Sequence, residues 1–382
     1  MLEKQEIVSS IENRFIDIMK CKRSYKGKYP LIDLGIGEDK SKPNKGIIKG
    51  LKKSLSKSSN HKYSDAGIYE FKVAALEYLK RKNISVDIDE ILPIMGAKSI
   101  LSILPILYVE EKDYIVTLSP SYIVFEKMAQ FMKGKIHHIY IDDSNADLAL
   151  RNVDDKIWKK TKILNLNFPH NPTGSTINKE TYEYLVKKAN QYHFLIINDA
   201  AYIDISYEYV PTLMEAEGAK EVGLEIYTLS KSFNMTGYRI GFIVGDKKRI
   251  EVLTKFKDCF DSGQFIPIQY GAIYALKHES VSKELKDKYY RRLCRFNEIF
   301  SSYGLKTAIP KATFYLYVKV PNDFKSAKDF AIYFLNELGI MTIPYDDYGS
   351  YIRVSVTFDG KEEKVYRELE LRLKKFKNRI VC

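Results

Sequence analysis

Lys231 closes the run Thr228-Leu229-Ser230-Lys231, with a hydroxyl three residues before it at Thr228 and a guanidinium eight residues after it at Arg239. A lysine attacks a carbonyl as a free amine only where its surroundings lower its pKa, and a hydroxyl with an arginine are donors that can grip one phosphate. A carbonyl compound that carries a phosphate answers both features, and pyridoxal phosphate, held as a Schiff base on Lys231, is such a compound. Its other atoms make further demands. The pyridine nitrogen needs a buried carboxylate to stay protonated, and Asp199 ends the apolar run Phe194 to Asn198. The phenolic oxygen needs donors, available in Tyr202 and in Asn171. The ring needs an aromatic face, which Tyr122 can provide, and the phosphate needs the N–H groups of a helix start, for which Gly96-Ala97-Lys98 precedes an apolar, helix-like run.

These residues must be positioned by something, and the chain alternates short β-rich runs with helical stretches. Tyr114 to Leu118, Lys162 to Asn167, Phe194 to Asn198, Glu225 to Leu229 and Arg239 to Val244 are nearly all apolar, as strands buried on both faces of a parallel sheet are. Between them, Asn178 to Tyr192 carries Tyr182, Leu185, Val186 and Ala189 at helical spacing. The order predicts an α/β layered domain with its ligands at the carboxyl ends of the strands. Beyond Pro267 the pattern turns to amphipathic helices, Ser282 to Tyr303, Ser326 to Leu338 and Lys361 to Lys377, with strand-like runs at Thr313 to Val320 and Tyr351 to Phe358. Residues 45–266 are therefore expected to form the large domain, and the N-terminal arm 1–44 to join 267–382 in a smaller α+β domain.

Composition excludes several other classes. The 382 residues are 45% hydrophobic and 29% charged with 20 Gly and 12 Pro, ordinary globular usage that rules out disorder and collagen-like architecture. The net charge of +12 comes from lysines scattered along the chain, which suits anionic substrates better than a nucleic-acid stripe. Four cysteines, Cys21, Cys259, Cys294 and Cys382, lie too far apart for a metal motif and are expected as reduced thiols. The N-terminus mixes charges before any apolar run, and Ile91 to Val109 is broken by Pro93, Gly96, Lys98 and Pro105, so neither a secretory signal nor a membrane span is expected and the reading is cytoplasmic. No GxGxxG turn or P-loop occurs, and no metal site is expected.

Three segments, NFPHNPTG (167–174), NDAAY (198–202) and TLSKSFNMTGYRIGF (228–242), resemble the fold-type I pyridoxal-phosphate aminotransferases of class I/II in order and spacing. The resemblance implies a mostly parallel seven-stranded sheet flanked by helices, a smaller α+β domain, and a homodimer with active sites at the subunit interface. It implies Lys231 as Schiff-base lysine and proton shuttle, Asp199 as partner of the pyridinium, and Asn171 and Tyr202 as ligands of the phenolic oxygen. Tyr122 would stack on the ring, while Thr228, Arg239, Gly96, Ala97 and Lys98 would hold phosphate with Tyr63 from the second subunit. Arg353 would clamp the substrate α-carboxylate, with Gly37 and Asn171 beside it. Amino acids and 2-oxo acids are the implied substrates.

LIDLGIGE (31–38), KYSDAGIYEFK (62–72), PKATFYLYVK (310–319) and IPYDDYGSYIRVSVTF (343–358) are similar to the LL-diaminopimelate aminotransferase branch. That likeness implies LL-2,6-diaminopimelate as amino donor, Asp65 for its distal ammonium and Lys98 for its distal carboxylate. The chain departs from the usual pattern at Asp39, Ile123 and Tyr345, where Pro, Pro and Trp are common. A transaminase for another amino acid would share every cofactor residue and differ at Asp65, Lys98 and the 120–125 loop. A lyase or oxidase on the same fold would consume amino acid without transferring the amine.

Overall fold

The computed structural model describes residues 14–380, with side chains from 19 to 377; the charged N-terminal stretch 1–13 and Cys382 lie outside them. The arm contributes a two-residue strand, β1 (Ile32–Asp33). Seven strands follow: β2 (Ile91–Ile94), β3 (Tyr114–Ser119), β4 (Lys135–Tyr140), β5 (Thr161–Leu166), β6 (Leu195–Asp199), β7 (Gly223–Thr228) and β8 (Gly241–Gly245). They form one sheet in the order β2-β8-β7-β6-β5-β3-β4. Only β8 runs against its neighbours; β3 to β7 are parallel where they pair.

The near-continuous apolar runs have a direct physical cause. Successive side chains of a strand point to opposite faces, so a sheet covered on both sides needs apolar residues at every position. Val116, Leu118, Leu164, Leu166 and Ile196 face one way, onto Tyr182, Leu185, Val186 and Ala189 of the helix Lys179–Tyr192. Their neighbours Ile115, Ile163, Leu195 and Ile197 face the other, onto Ile100, Leu101 and Leu104 of the helix Ala97–Tyr108 and onto Ile250 and Leu253 of the helix Lys247–Phe260. The Asn178 side chain caps the first of these helices by accepting from the Thr181 N–H, and His193 ends it in the left-handed region at φ 60°.

Two strands of this seven-stranded sheet escaped the sequence reading for opposite reasons. β4, Lys-Ile-His-His-Ile-Tyr, lies at the sheet edge, where its mixed exposure leaves no apolar run to notice. β2 is wholly apolar but only four residues long, and it merges with the apolar helix that follows. Leu229 was expected in a strand and instead starts the helical turn Leu229–Ser232, which sets Lys231 just beyond the end of β7.

The C-terminal part holds β9 (Tyr315–Lys319), β10 (Ile340–Met341), β11 (Ile343–Tyr345) and β12 (Tyr351–Ser355). β11, β12 and β9 make an antiparallel sheet, while β1 pairs in parallel with β10 through Ile32↔Ile340 and Asp33↔Met341. The helices Glu279–Ser302, Ala327–Leu338 and Glu362–Ile380 close over it through Phe296, Phe330, Phe334 and Phe376. Just past the boundary expected at 267, the helix Ile266–Lys277 packs Ala272, Ala275 and Leu276 with Ile47 and Phe71 in a core shared with the large sheet's β2, β7 and β8. Among the described residues no helix is long and apolar enough to cross a membrane.

Buried Arg372 fastens the arm to this part. Its guanidinium donates to the carbonyls of Pro30 at 2.9 Å and Leu338 at 3.0 Å and pairs with Glu368 at 2.9 Å. Replacing it by Met leaves the Leu338 carbonyl without its buried donor and Glu368 without its cation, so Arg372→Met is expected to lower stability by about 2 kcal/mol, read by urea denaturation.

Candidate active site

The carboxyl ends of β5, β6 and β7 open into a cavity of about 510 Å³. Gly37, Ala97, Lys98, Tyr122, Asn171, Asp199, Tyr202, Thr228, Lys231, Arg239 and Arg353 all line it, brought together from segments spread over more than 300 residues. Gly96 sits directly behind: at φ +73° it opens the helix Ala97–Tyr108, and a Cβ there would press within 3.0 Å of the Arg239 guanidinium. Two expected residues are not brought in. Tyr63 is 87% exposed and Asp65 is also exposed, at φ 46°, and neither lines the cavity of the same chain.

Asp199 ends β6 and is buried, and its Oδ1 accepts no hydrogen bond among the described residues. Burial pushes its carboxyl up to about 7, against the pull of the Ala201 N–H and the Lys231 charge. Asn167 donates to the Asp199 carbonyl at 2.7 Å and accepts from the Asn171 N–H at 3.0 Å, which joins the β5 and β6 ends. Asn167 was missed as a site residue, although it opens the same motif as Asn171.

Lys231 donates to the Gly37 carbonyl at 2.7 Å. Burial first, then the positive charges of Arg353 and Arg239, bring its ammonium down to about 8, while Glu38 and Asp199 act the other way. Arg353, on β12 and almost fully buried, donates to Asn171 Oδ1 at 2.6 Å and to the Gly35 carbonyl at 2.8 Å. Tyr202 is buried, and its phenol is held well above its usual range by that burial and then by Tyr315. Tyr122 is pushed up to about 12 by burial and by the negative charge of Asp199.

At another part of the wall the donors are of the phosphate-binding kind. The N-terminus of the helix Ala97–Tyr108 has no side-chain cap, Arg239 lies over Gly96, and the Thr228 hydroxyl meets that of Ser230 at 3.0 Å. Ser230 is a second hydroxyl that the reading passed over; its place one residue before Lys231 was the available signal. Glu38, Ile123 and Tyr315 also line the cavity without having been assigned a role. A buried carboxylate with one oxygen unpartnered, a lysine of lowered pKa and an anion cradle on one wall fit the pyridine nitrogen, aldehyde and phosphate of pyridoxal phosphate.

The family model "Aminotransferase class I and II" matches residues 29–369. The chain is 36% identical to an LL-diaminopimelate aminotransferase of Methanocaldococcus jannaschii, over 92% of this chain and 87% of the relative. It is 35% identical to the enzyme of that name from Aquifex aeolicus, over 86% of this chain and 87% of the relative. Among solved structures, substrate-bound BacF of Bacillus subtilis superposes with a TM-score of 0.91 at 26% identity, covering 99% of this chain and 98% of that one. An aminotransferase from Staphylococcus aureus superposes with a TM-score of 0.85 at 29% identity, covering 96% and 99%. A match that spans both sheets and every segment lining the cavity within 35–353 places the chain in its family: it belongs to the class I and II aminotransferases, pyridoxal-phosphate enzymes that move an amino group between an amino acid and a 2-oxo acid.

Proposed function

We propose that this aminotransferase exchanges the amino group of LL-2,6-diaminopimelate with 2-oxoglutarate, or of glutamate in reverse, at the cavity around Lys231. The observation that carries the substrate reading is the pair of cationic side chains in one cavity, buried Arg353 and exposed Lys98, offered to a substrate with two carboxylates. The relatives named LL-diaminopimelate aminotransferase, 30–36% identical over most of the chain, support it.

Bound pyridoxal phosphate supplies an electron sink that makes the α-proton of an attached amino acid acidic. The chain's residues do the rest. Arg353 clamps the α-carboxylate and is aimed by Asn171 and by the Gly35 carbonyl. Lys231 would carry the α-proton, and its lowered pKa makes the free amine this requires more accessible than on an ordinary lysine. Asp199 keeps the pyridine nitrogen protonated, because an ion pair relieves the burial of its own charge. Tyr202 and Asn171 serve the phenolic oxygen and Tyr122 the ring face, while Thr228, Ser230, Arg239 and the Gly96-Ala97-Lys98 turn hold phosphate.

Tyr63 and Asp65 fit this scheme in a homodimer, each chain presenting them to the cavity of the other, Tyr63 to phosphate and Asp65 to the distal ammonium of diaminopimelate. Their exposure beside the apolar surface residues Tyr69 and Phe265 supports that reading. The free thiols of Cys21, Cys259 and Cys294 support a cytoplasmic location.

Three measurements check these assignments. Titrating the cofactor-loaded enzyme with LL-diaminopimelate should bleach its visible band, and 2-oxoglutarate should restore it; a band that only another amino acid bleaches overturns the substrate. Uptake of pyridoxal phosphate by the cofactor-free protein should accelerate with pH through about 8, the range in which Lys231 loses its proton, rather than through the 10.5 of an ordinary lysine. Asp199 binds its proton more tightly folded than unfolded, so without cofactor its burial costs stability progressively as pH rises from 3.8 to about 7, the cost being constant above. Asp199→Asn should therefore stabilise the cofactor-free protein at pH 8 by at most about 4 kcal/mol and little at pH 4, while weakening cofactor retention, read by thermal unfolding with and without pyridoxal phosphate.

A further inference from the structure

Tyr315 touches both halves of the site. It opens β9, which lies against β12 with Tyr315 opposite Ser355 and Tyr317 opposite Arg353. Its ring lies 4.1 Å from the central carbon of the Arg353 guanidinium, the geometry of a cation–π contact. Its hydroxyl stands 3.1 Å from that of Tyr202, with the two rings edge to face at 5.7 Å. A Cβ on Gly37 would collide with the Tyr315 hydroxyl, so the glycine at the tip of the arm leaves the space the ring occupies. Tyr315 is itself buried, and it lines the cavity.

The hydrogen-bond arithmetic of the tyrosine pair has a chemical consequence. A phenol has one proton to donate and lone pairs to accept with. When Tyr315 donates to Tyr202, the Tyr202 proton is left to point into the cavity, and its donor strength rises because the oxygen that carries it is already accepting. The same ring gives the Arg353 guanidinium a flat surface to lie on, which limits its rotation about the Asn171 hydrogen bond.

We propose that Tyr315 is a positioning residue that aims the Tyr202 hydroxyl at the cofactor's phenolic oxygen and seats the Arg353 guanidinium, so that one side chain couples the cofactor wall to the carboxylate clamp. This rests on the reading of Tyr202 and Arg353 given above. It adds a connection separate from the direct Arg353–Asn171 hydrogen bond. The charged and titratable groups that face the pair are Arg353 and Asp199 towards Tyr202, and Arg353, Glu38, Arg239 and Asp199 towards Lys231.

The test is a pH titration of the visible band of the cofactor-loaded enzyme, whose midpoint reports the proton held at the Lys231 nitrogen. A weaker donor on the phenolic oxygen stabilises the deprotonated form less, so Tyr315→Phe should raise the midpoint by about half a pH unit. The ring remains, so KM for the amino acid should stay within about twofold in Tyr315→Phe, whereas Tyr315→Leu should also raise KM about fivefold. The double variant Tyr202→Phe/Tyr315→Phe should shift the midpoint no further than Tyr202→Phe alone. An unmoved midpoint in Tyr315→Phe, or a double variant whose shift is the sum of the two, overturns the coupling. A wild-type enzyme whose loaded form shows no pH-dependent band overturns the reading of Lys231, and the role of Tyr315 with it.

Discussion

A carboxylate buried at the end of a central strand, with one oxygen that no donor among the described residues satisfies, is an expensive thing for a fold to keep. Asp199 is such a group. The sheet around it is apolar on both faces, the cation that acts on it is a lysine that burial has itself made easier to deprotonate, and its carboxyl is driven towards neutrality. The arrangement becomes favourable when a positive charge arrives in front of Asp199, and in the function proposed above the pyridinium of the cofactor would be that charge. The strand ends, the shortened helical turn that carries Lys231 and the Asn167 brace between β5 and β6 can all be understood as the frame that holds this unsatisfied carboxylate in place.

The N-terminal arm completes the frame from the other side. Its backbone runs from the small sheet, where Ile32 pairs with Ile340, to the cavity, where the carbonyls of Gly35 and Gly37 accept from Arg353 and Lys231. Two cations that repel each other are thereby anchored to the same short segment. The Ser355 N–H donates back to the Leu34 carbonyl at 2.7 Å, so the strand that carries Arg353 and the arm that receives its hydrogen bond are one hydrogen-bonded unit. Backbone carbonyls suit this task because they neutralise part of each charge without adding a formal negative charge that would compete for Arg353 with the carboxylate it is proposed to clamp.

Much of this was readable before any coordinates. Buried parallel strands must be apolar throughout, so β3, β5, β6 and β7 announced themselves; the edge strand β4, with His137, His138 and Tyr140 in mixed exposure, had no such signature. β8 was recognised as a strand, but its antiparallel direction rests on which neighbour it meets, which local pattern does not encode. The helix Ile266–Lys277 shares a core with Ile47 and Phe71, a packing that the change in helix length along the chain does not reveal. Ser230 and Asn167 sit inside recognised motifs and were missed only because single hydroxyls and amides are ambiguous until their neighbours in space are known.

By itself the order of residue types suggested the chemistry, a lysine between a hydroxyl and an arginine and an acid at a strand end being what pyridoxal phosphate requires, and the resemblance of the segments 167–174, 198–202 and 228–242 to a known family made that reading specific. It could not determine that Tyr315, more than a hundred residues from Tyr202, would lie against both that phenol and Arg353, nor that Gly35 and Gly37 would receive the two buried cations. Those contacts join segments that are distant along the chain. Their geometry follows from how two sheets and an arm pack around one cavity, and packing is a property of the whole fold rather than of any stretch within it.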